Sequence, residues 1–139
     1  MNDINTDNVA HPLVRYRNHL EFHGYHVEEE DDDLLHCSHP RKYDLDVFNY
    51  PGVGVSITIF CFVKTEVQRT DLLEYVNELN SKFRFMKASI FHENLFTINT
   101  FFYGDYDKTR FSILLDNIED DISDLYENEL TEEYLKYIL

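Results

Sequence analysis

Residues Val53 to Val63 read VGVSITIFCFV, and this stretch decides the fold. Val53, Val55, Ile57, Ile59, Cys61 and Val63 fall on every second position, the repeat of a strand whose one face is buried throughout. The intervening positions begin small and polar with Gly54, Ser56 and Thr58 and finish aromatic with Phe60 and Phe62. So one face is buried throughout, and the second is apolar only towards its end.

Upstream of it, Tyr43, Leu45 and Val47 alternate as another strand, and Leu35 and Cys37 do so before Pro40. Tyr25 to Val27 begins an extended segment, and Glu28 to Asp33 (EEEDDD) reads as an acidic turn. Earlier still, Val9, Leu13, Tyr16 and Leu20 recur at helical spacing. Pro12 suits the first turn of that helix and Gly24 its end.

Downstream, Thr70 is the expected N-cap of a second helix with a core stripe of Leu72, Val76, Leu79 and Phe83, widened by Leu73 and Tyr75. Met86, Ala88 and Ile90, a turn at Glu93-Asn94, then Phe96, Ile98 and Phe102 describe a hairpin. Asp107 is placed to cap a long helix with Phe111, Leu114, Leu115, Ile118, Ile122 and Leu125 on one face. Asp116, Glu119, Asp120, Asp121 and Asp124 would lie on its solvated side. Thr131 is expected to restart a short helix through Tyr134, Leu135 and Ile138. Runs of neighbouring strands argue for an α+β fold with an antiparallel sheet, helices mainly on one face, and the order α-β-β-β-α-β-β-α across one domain, 1–139.

Composition narrows the function. The 139 residues carry 12 Lys+Arg against 27 Asp+Glu, a net charge of −15. That balance repels phosphate backbones and anionic membrane surfaces, so neither nucleic acid nor membrane is an expected partner. Eleven Phe and ten Tyr supply ample apolar surface for a core, which argues against disorder. Met1 to Asp7 has neither the basic nor the apolar region of a signal peptide, and two cysteines make no disulfide framework. A cytoplasmic location is expected.

The tests for chemistry return little. His19 and His23 stand four apart with His26 behind them, but Glu21 is one place too late for a helical zinc-protease pattern and no third ligand is assured. His36-Cys37-Ser38-His39 fares no better, and Cys37 and Cys61 read as small buried hydrophobes. Glu28 to Asp33 lacks the glycine and closing glutamate of a calcium loop. There is no Gly-x-Ser-x-Gly and no phosphate loop around Gly52-Val53-Gly54. No catalytic, metal or cofactor residue is assigned, and no enzyme is expected. What remains is an excess of aromatics: Phe60, Phe62, Phe101 and Tyr103 suit a sheet face that helices leave open.

From Leu72 to Leu130 the chain resembles the YbjN family. Leu72-Leu73-Glu74-Tyr75-Val76-Asn77-Glu78-Leu79-Asn80, the hairpin after Phe83, and the acidic helix ending near Leu125-Tyr126 carry the resemblance. The N-terminal half is similar in element order only. The resemblance implies a fold like that of class I type III secretion chaperones, and with it a non-enzymatic homodimer that holds an extended segment of a partner protein. YbjN proteins are described as sensory-transduction regulators. The surface expected to serve dimer or partner is Leu72, Leu73, Tyr75, Val76 and Leu79 on the second helix, with Phe60 and Phe62 on the Val53 to Val63 strand. The competing expectation is an acidic immunity or inhibitor protein that neutralises a basic partner.

Overall fold

The computed structural model describes residues 11–138. The central strand, β4 (Gly54–Val63), buries Val55, Ile57, Ile59, Cys61 and Val63 to 2% exposure or less. Val53 is not part of that face. It is half exposed and belongs to the preceding turn, where its N–H donates to the Tyr50 carbonyl and its own carbonyl accepts from Gly104. Gly54 must be glycine because a Cβ there would sit 2.1 Å from the Phe102 carbonyl oxygen of the neighbouring strand.

Around β4 the sheet is antiparallel throughout. Its path runs β1 (His26–Asp31), β2 (Leu34–His39), β3 (Lys42–Tyr50), β4, β6 (Leu95–Tyr103), β5 (Lys87–His92). The stretch Glu28 to Asp31, expected as a turn, is strand: Glu28 pairs His36 and Glu29 pairs Leu35. Only Asp32 and Asp33 turn. An edge strand keeps its carboxylates hydrated while one partner satisfies half its backbone, so the acidic run does not break it.

Four helices complete the described residues: α1 (Val14–Phe22), α2 (Arg69–Lys82), α3 (Lys108–Glu127) and α4 (Glu129–Tyr134). The observed order is therefore α-β-β-β-β-α-β-β-α-α-β, with one more strand before α2 than expected, a short helix where Thr131 was expected to restart one, and a further strand after it. That last strand, β7 (Leu135–Ile138), is where a helix was expected. It pairs with Cys61 to Val63 of β4, beyond Thr58, the last β4 residue to pair with β3. The vacated edge of β4 offers unpaired backbone groups, and this outweighs the helical spacing of Tyr134, Leu135 and Ile138.

Helix ends differ in detail from expectation. α2 starts after Gln68, whose carbonyl accepts from Leu72, so Thr70 is an exposed residue inside the first turn and not the cap. Asn128, not Thr131, caps α4, accepting from the Leu130 N–H at 2.8 Å. Asp107 does cap α3, accepting from Arg110 at 2.8 Å, and Gly24 follows α1 with φ of +94°. Val9, assigned to the first helix from its spacing, lies outside the described residues.

The core gathers Leu13, Tyr16 and Leu20 of α1, Leu72, Tyr75, Val76 and Leu79 of α2, and Phe111, Ile118, Ile122 and Leu125 of α3. All pack against the β4 face that bears Val55 to Val63. Asp121 departs from the solvated face expected for it: it is 1% exposed and turned inward. Its Oδ1 accepts from the Arg84 N–H at 3.0 Å and its Oδ2 from Phe85 and Met86 at 2.8 Å each. The short link from α2 to β5 has three successive amide donors without strand or helix partners, and one carboxylate satisfies them all.

Candidate functional site

Strand registers define the second face of the sheet. Ser56 stands opposite Phe48 and Phe101, Gly54 opposite Tyr50 and Tyr103, Phe60 opposite Thr97, and Phe62 opposite Leu95. The helical core residues all gather on the other side. Phe48, Phe60, Phe62 and Phe101 are partly exposed here, Tyr50 is 49% exposed and Tyr103 67%. Among the described residues the rings lie against one another and under no helix: the centroids of Tyr50 and Phe101 are 5.4 Å apart and those of Phe101 and Tyr103 4.4 Å, each pair tilted. Ser56 and Thr58 are buried between them, small residues shaded by large neighbours.

Towards β1 the same face turns acidic. His36 sits between two carboxylates, with Nδ1 2.6 Å from Asp46 Oδ1 and Nε2 3.3 Å from Asp44 Oδ2, and Glu28 is its cross-strand neighbour. Partial burial opposes a charge on His36, but the hydrogen bond to Asp46 and the fields of Asp46, Asp44 and Glu28 prevail and raise its pKa above the usual imidazole value. Burial also raises the Asp46 pKa, and His36 pulls in the opposite direction. The face thus offers an aromatic half and an acidic half side by side.

Of the seven residues expected to form a dimer or partner surface, four are internal. Leu72, Tyr75 and Leu79 are 1% exposed and Val76 8%. They fill the space between α2 and the sheet, and Tyr75 donates its hydroxyl proton into that interior, to Thr131 Oγ1 at 2.6 Å, because Thr131 spends its own proton on the Leu125 carbonyl. Leu73 is outward-facing at 48% exposure, and Phe60 and Phe62 lie on the open sheet face. Phe48, Tyr50 and the His36–Asp44–Asp46 group were not assigned to the surface in the sequence. Phe48 and Tyr50 are out of phase with Leu45 and Val47, and that parity was the available signal.

The strand edges are unequal. On β5 the Asn80 amide occupies the outward backbone of Ala88 from both sides, donating to its carbonyl at 3.0 Å and accepting from its N–H at 2.8 Å. A strand adding to β5 would have to displace it. The β1 edge carries Glu28 to Asp31.

The histidines do not gather as ligands. Both ring nitrogens of His19 are engaged, Nδ1 with the Tyr106 hydroxyl at 2.8 Å and Nε2 with Ser112 Oγ at 3.2 Å, while His26 sits on β1. Among the described residues no group of three or more His, Cys, Asp and Glu is placed to hold a metal ion. Cys37 and Cys61 are buried in the core, and desolvation pushes the Cys37 thiol up to about 12 and the Cys61 thiol up as well. Among the described residues no helix is long and apolar enough to cross a membrane. No known family model matches the chain, and no curated protein matches it.

Proposed function

We propose that the protein is a non-enzymatic binding module that lays an extended segment of a partner protein across the open face of its sheet. The observation that supports this is the uncovered aromatic row formed by Phe48, Tyr50, Phe101 and Tyr103 beside the Asp44–His36–Asp46 group. Exposed aromatic clusters of this kind are uncommon on surfaces without a partner. A segment that suits both halves presents apolar side chains to the rings and Lys or Arg to the carboxylates. Phe60 and Phe62 extend the apolar half. The chaperone-like resemblance implies capture of such a segment against helix and sheet surfaces, and here the sheet face that bears Phe60 and Phe62 takes that part.

A homodimer of this chain would draw on the open face or on Leu73, because Leu72, Tyr75, Val76 and Leu79 are used up inside the subunit. The acidic run Glu28 to Asp33, next to Asp44 and Asp46, favours the second reading of an inhibitor that covers a basic partner. The two readings differ in salt dependence: aromatic anchoring persists in salt, whereas charge neutralisation is screened within about 10 Å at 0.1 M ionic strength.

Selection of a random linear-peptide library on the purified protein tests the proposal. Enrichment of peptides mixing apolar and basic residues, with binding lost in a Phe101→Ser/Tyr103→Ser variant that still folds, is expected. Selected peptides that bind this variant as well as the parent would sink it.

A further inference from the structure

The helix layer holds a second feature, independent of the sheet face. A cleft of about 570 Å³ opens between α1 and the start of α3, within the range of small-ligand sites. Its floor is His19, buried to 8% exposure, with the edge of Phe111 against it at 4.9 Å and the ring of His23 stacked on it at 5.0 Å. Tyr106 and Ser112 hold the two His19 nitrogens, so the imidazole is fixed in orientation. Burial first, then the charges of His23 and Lys108, lower its pKa, so the floor is neutral at pH 7.

The walls are unlike the rest of the surface. Phe22, at the end of α1, is 87% exposed and touches the rim through His23, with ring centroids 5.7 Å apart. Arg15 and Lys108 line the rim, and among the described residues no carboxylate lines the cleft. In a chain with 27 acidic and 12 basic residues, a cleft bounded among the described residues by two cations, two histidines and no acid is a local inversion of charge. A cation would be repelled there, and a metal ion would find both His19 nitrogens taken. An anion would be drawn in by Arg15 and Lys108.

We propose that this cleft binds a small organic anion with a flat apolar body. The body lies against Phe22 and the Tyr106 ring over the His19 floor, and the carboxylate or sulfonate group meets Arg15 and Lys108, within reach of the Ser112 hydroxyl. The dense negative charge elsewhere on the molecule disfavours anions, so binding is confined to this inverted patch.

The probe is 8-anilinonaphthalene-1-sulfonate, titrated by fluorescence into the folded full-length chain, with backbone amide NMR shifts used to locate it. One saturable site with shifts centred on Asn18 to His23 and on Lys108 to Ser112 is expected. Arg15→Glu/Lys108→Glu, both at exposed positions, should weaken binding by about tenfold or more, the effect of losing one to two ion pairs in a partly desolvated site. N-phenyl-1-naphthylamine, the same body without the sulfonate, should bind weaker by a similar factor. A Phe101→Ser variant should bind the probe unchanged. Shifts centred on the sheet face, equal binding of the neutral compound, or full affinity in the Arg15→Glu/Lys108→Glu variant with an unchanged melting curve would each overturn the proposal.

Discussion

Asp121 accepts the backbone N–H of Met86 at 2.8 Å, from the inward face of α3 beside Ile118, Ile122 and Leu125. The same side chain satisfies Arg84 and Phe85, and so ties α3 to the entry of β5. Asp121→Ala would take the acceptor from three donors, the Met86 N–H buried and those of Arg84 and Phe85 partly so. We expect it to lower unfolding free energy by about 3 kcal/mol, read from urea titration, with Asp121→Asn losing less because its carbonyl still accepts. A loss of a few tenths of a kcal/mol in the alanine variant would contradict the role given to this carboxylate.

Tyr75 gives a second, different test. Its hydroxyl donates to Thr131, and its ring meets Phe96 and Tyr134 edge-on at 5.9 and 5.3 Å. Tyr75→Phe should cost about 1 kcal/mol and leave the ring packing in place. Tyr75→Asp should unfold the chain, because it puts a carboxylate into the core. A Tyr75→Asp protein that stays folded, by far-UV circular dichroism and chemical denaturation, would return α2 to consideration as a surface.

These two residues also show how much was legible in the sequence. Alternation in Val55 to Val63, Tyr43 to Val47 and Phe96 to Ile98 marks an antiparallel sheet, because one buried face demands that period. Tyr75 has the right spacing for a widened helix stripe, but spacing does not say whether the widening meets the chain's own sheet or another molecule. Asp121 lies among Glu119, Asp120 and Asp124, and nothing local separates the one that turns inward; its partners are backbone amides some 35 residues away in sequence. β7 was hidden for a similar reason, since only the free edge of β4 makes Leu135 to Ile138 extended. Of the candidate site, Phe60, Phe62, Phe101 and Tyr103 followed from parity, whereas the His36 group depends on cross-strand register, which the sequence does not display.

His36 makes stability depend on pH in a definable direction. Its folded pKa is raised, so its contribution is fully present below the unfolded value near 6.5 and is lost as pH rises through the folded value. Asp46 acts in the same sense, because a carboxyl with a raised folded pKa favours the fold when protonated and opposes it when ionised. His19 acts oppositely: its lowered pKa means that its stabilising contribution is lost as pH falls below about 6.5. The comparison must therefore be made against His36→Gln in an otherwise identical chain. The stability advantage of the parent over His36→Gln should be largest near pH 6 and shrink towards pH 8.5. A difference that stays flat across that range would show that Asp44 and Asp46 do not hold the charged ring.

The most direct measurement is an NMR titration of protein carrying labelled Phe and Tyr rings with a peptide selected for tight binding. Phe48, Tyr50, Phe101 and Tyr103 are expected to shift, and the rings of Tyr16, Tyr75 and Phe111, on the helix side, to stay unmoved. Shifts confined to α2 or to the helix layer, with the four sheet-face rings unmoved, would contradict binding across the sheet face.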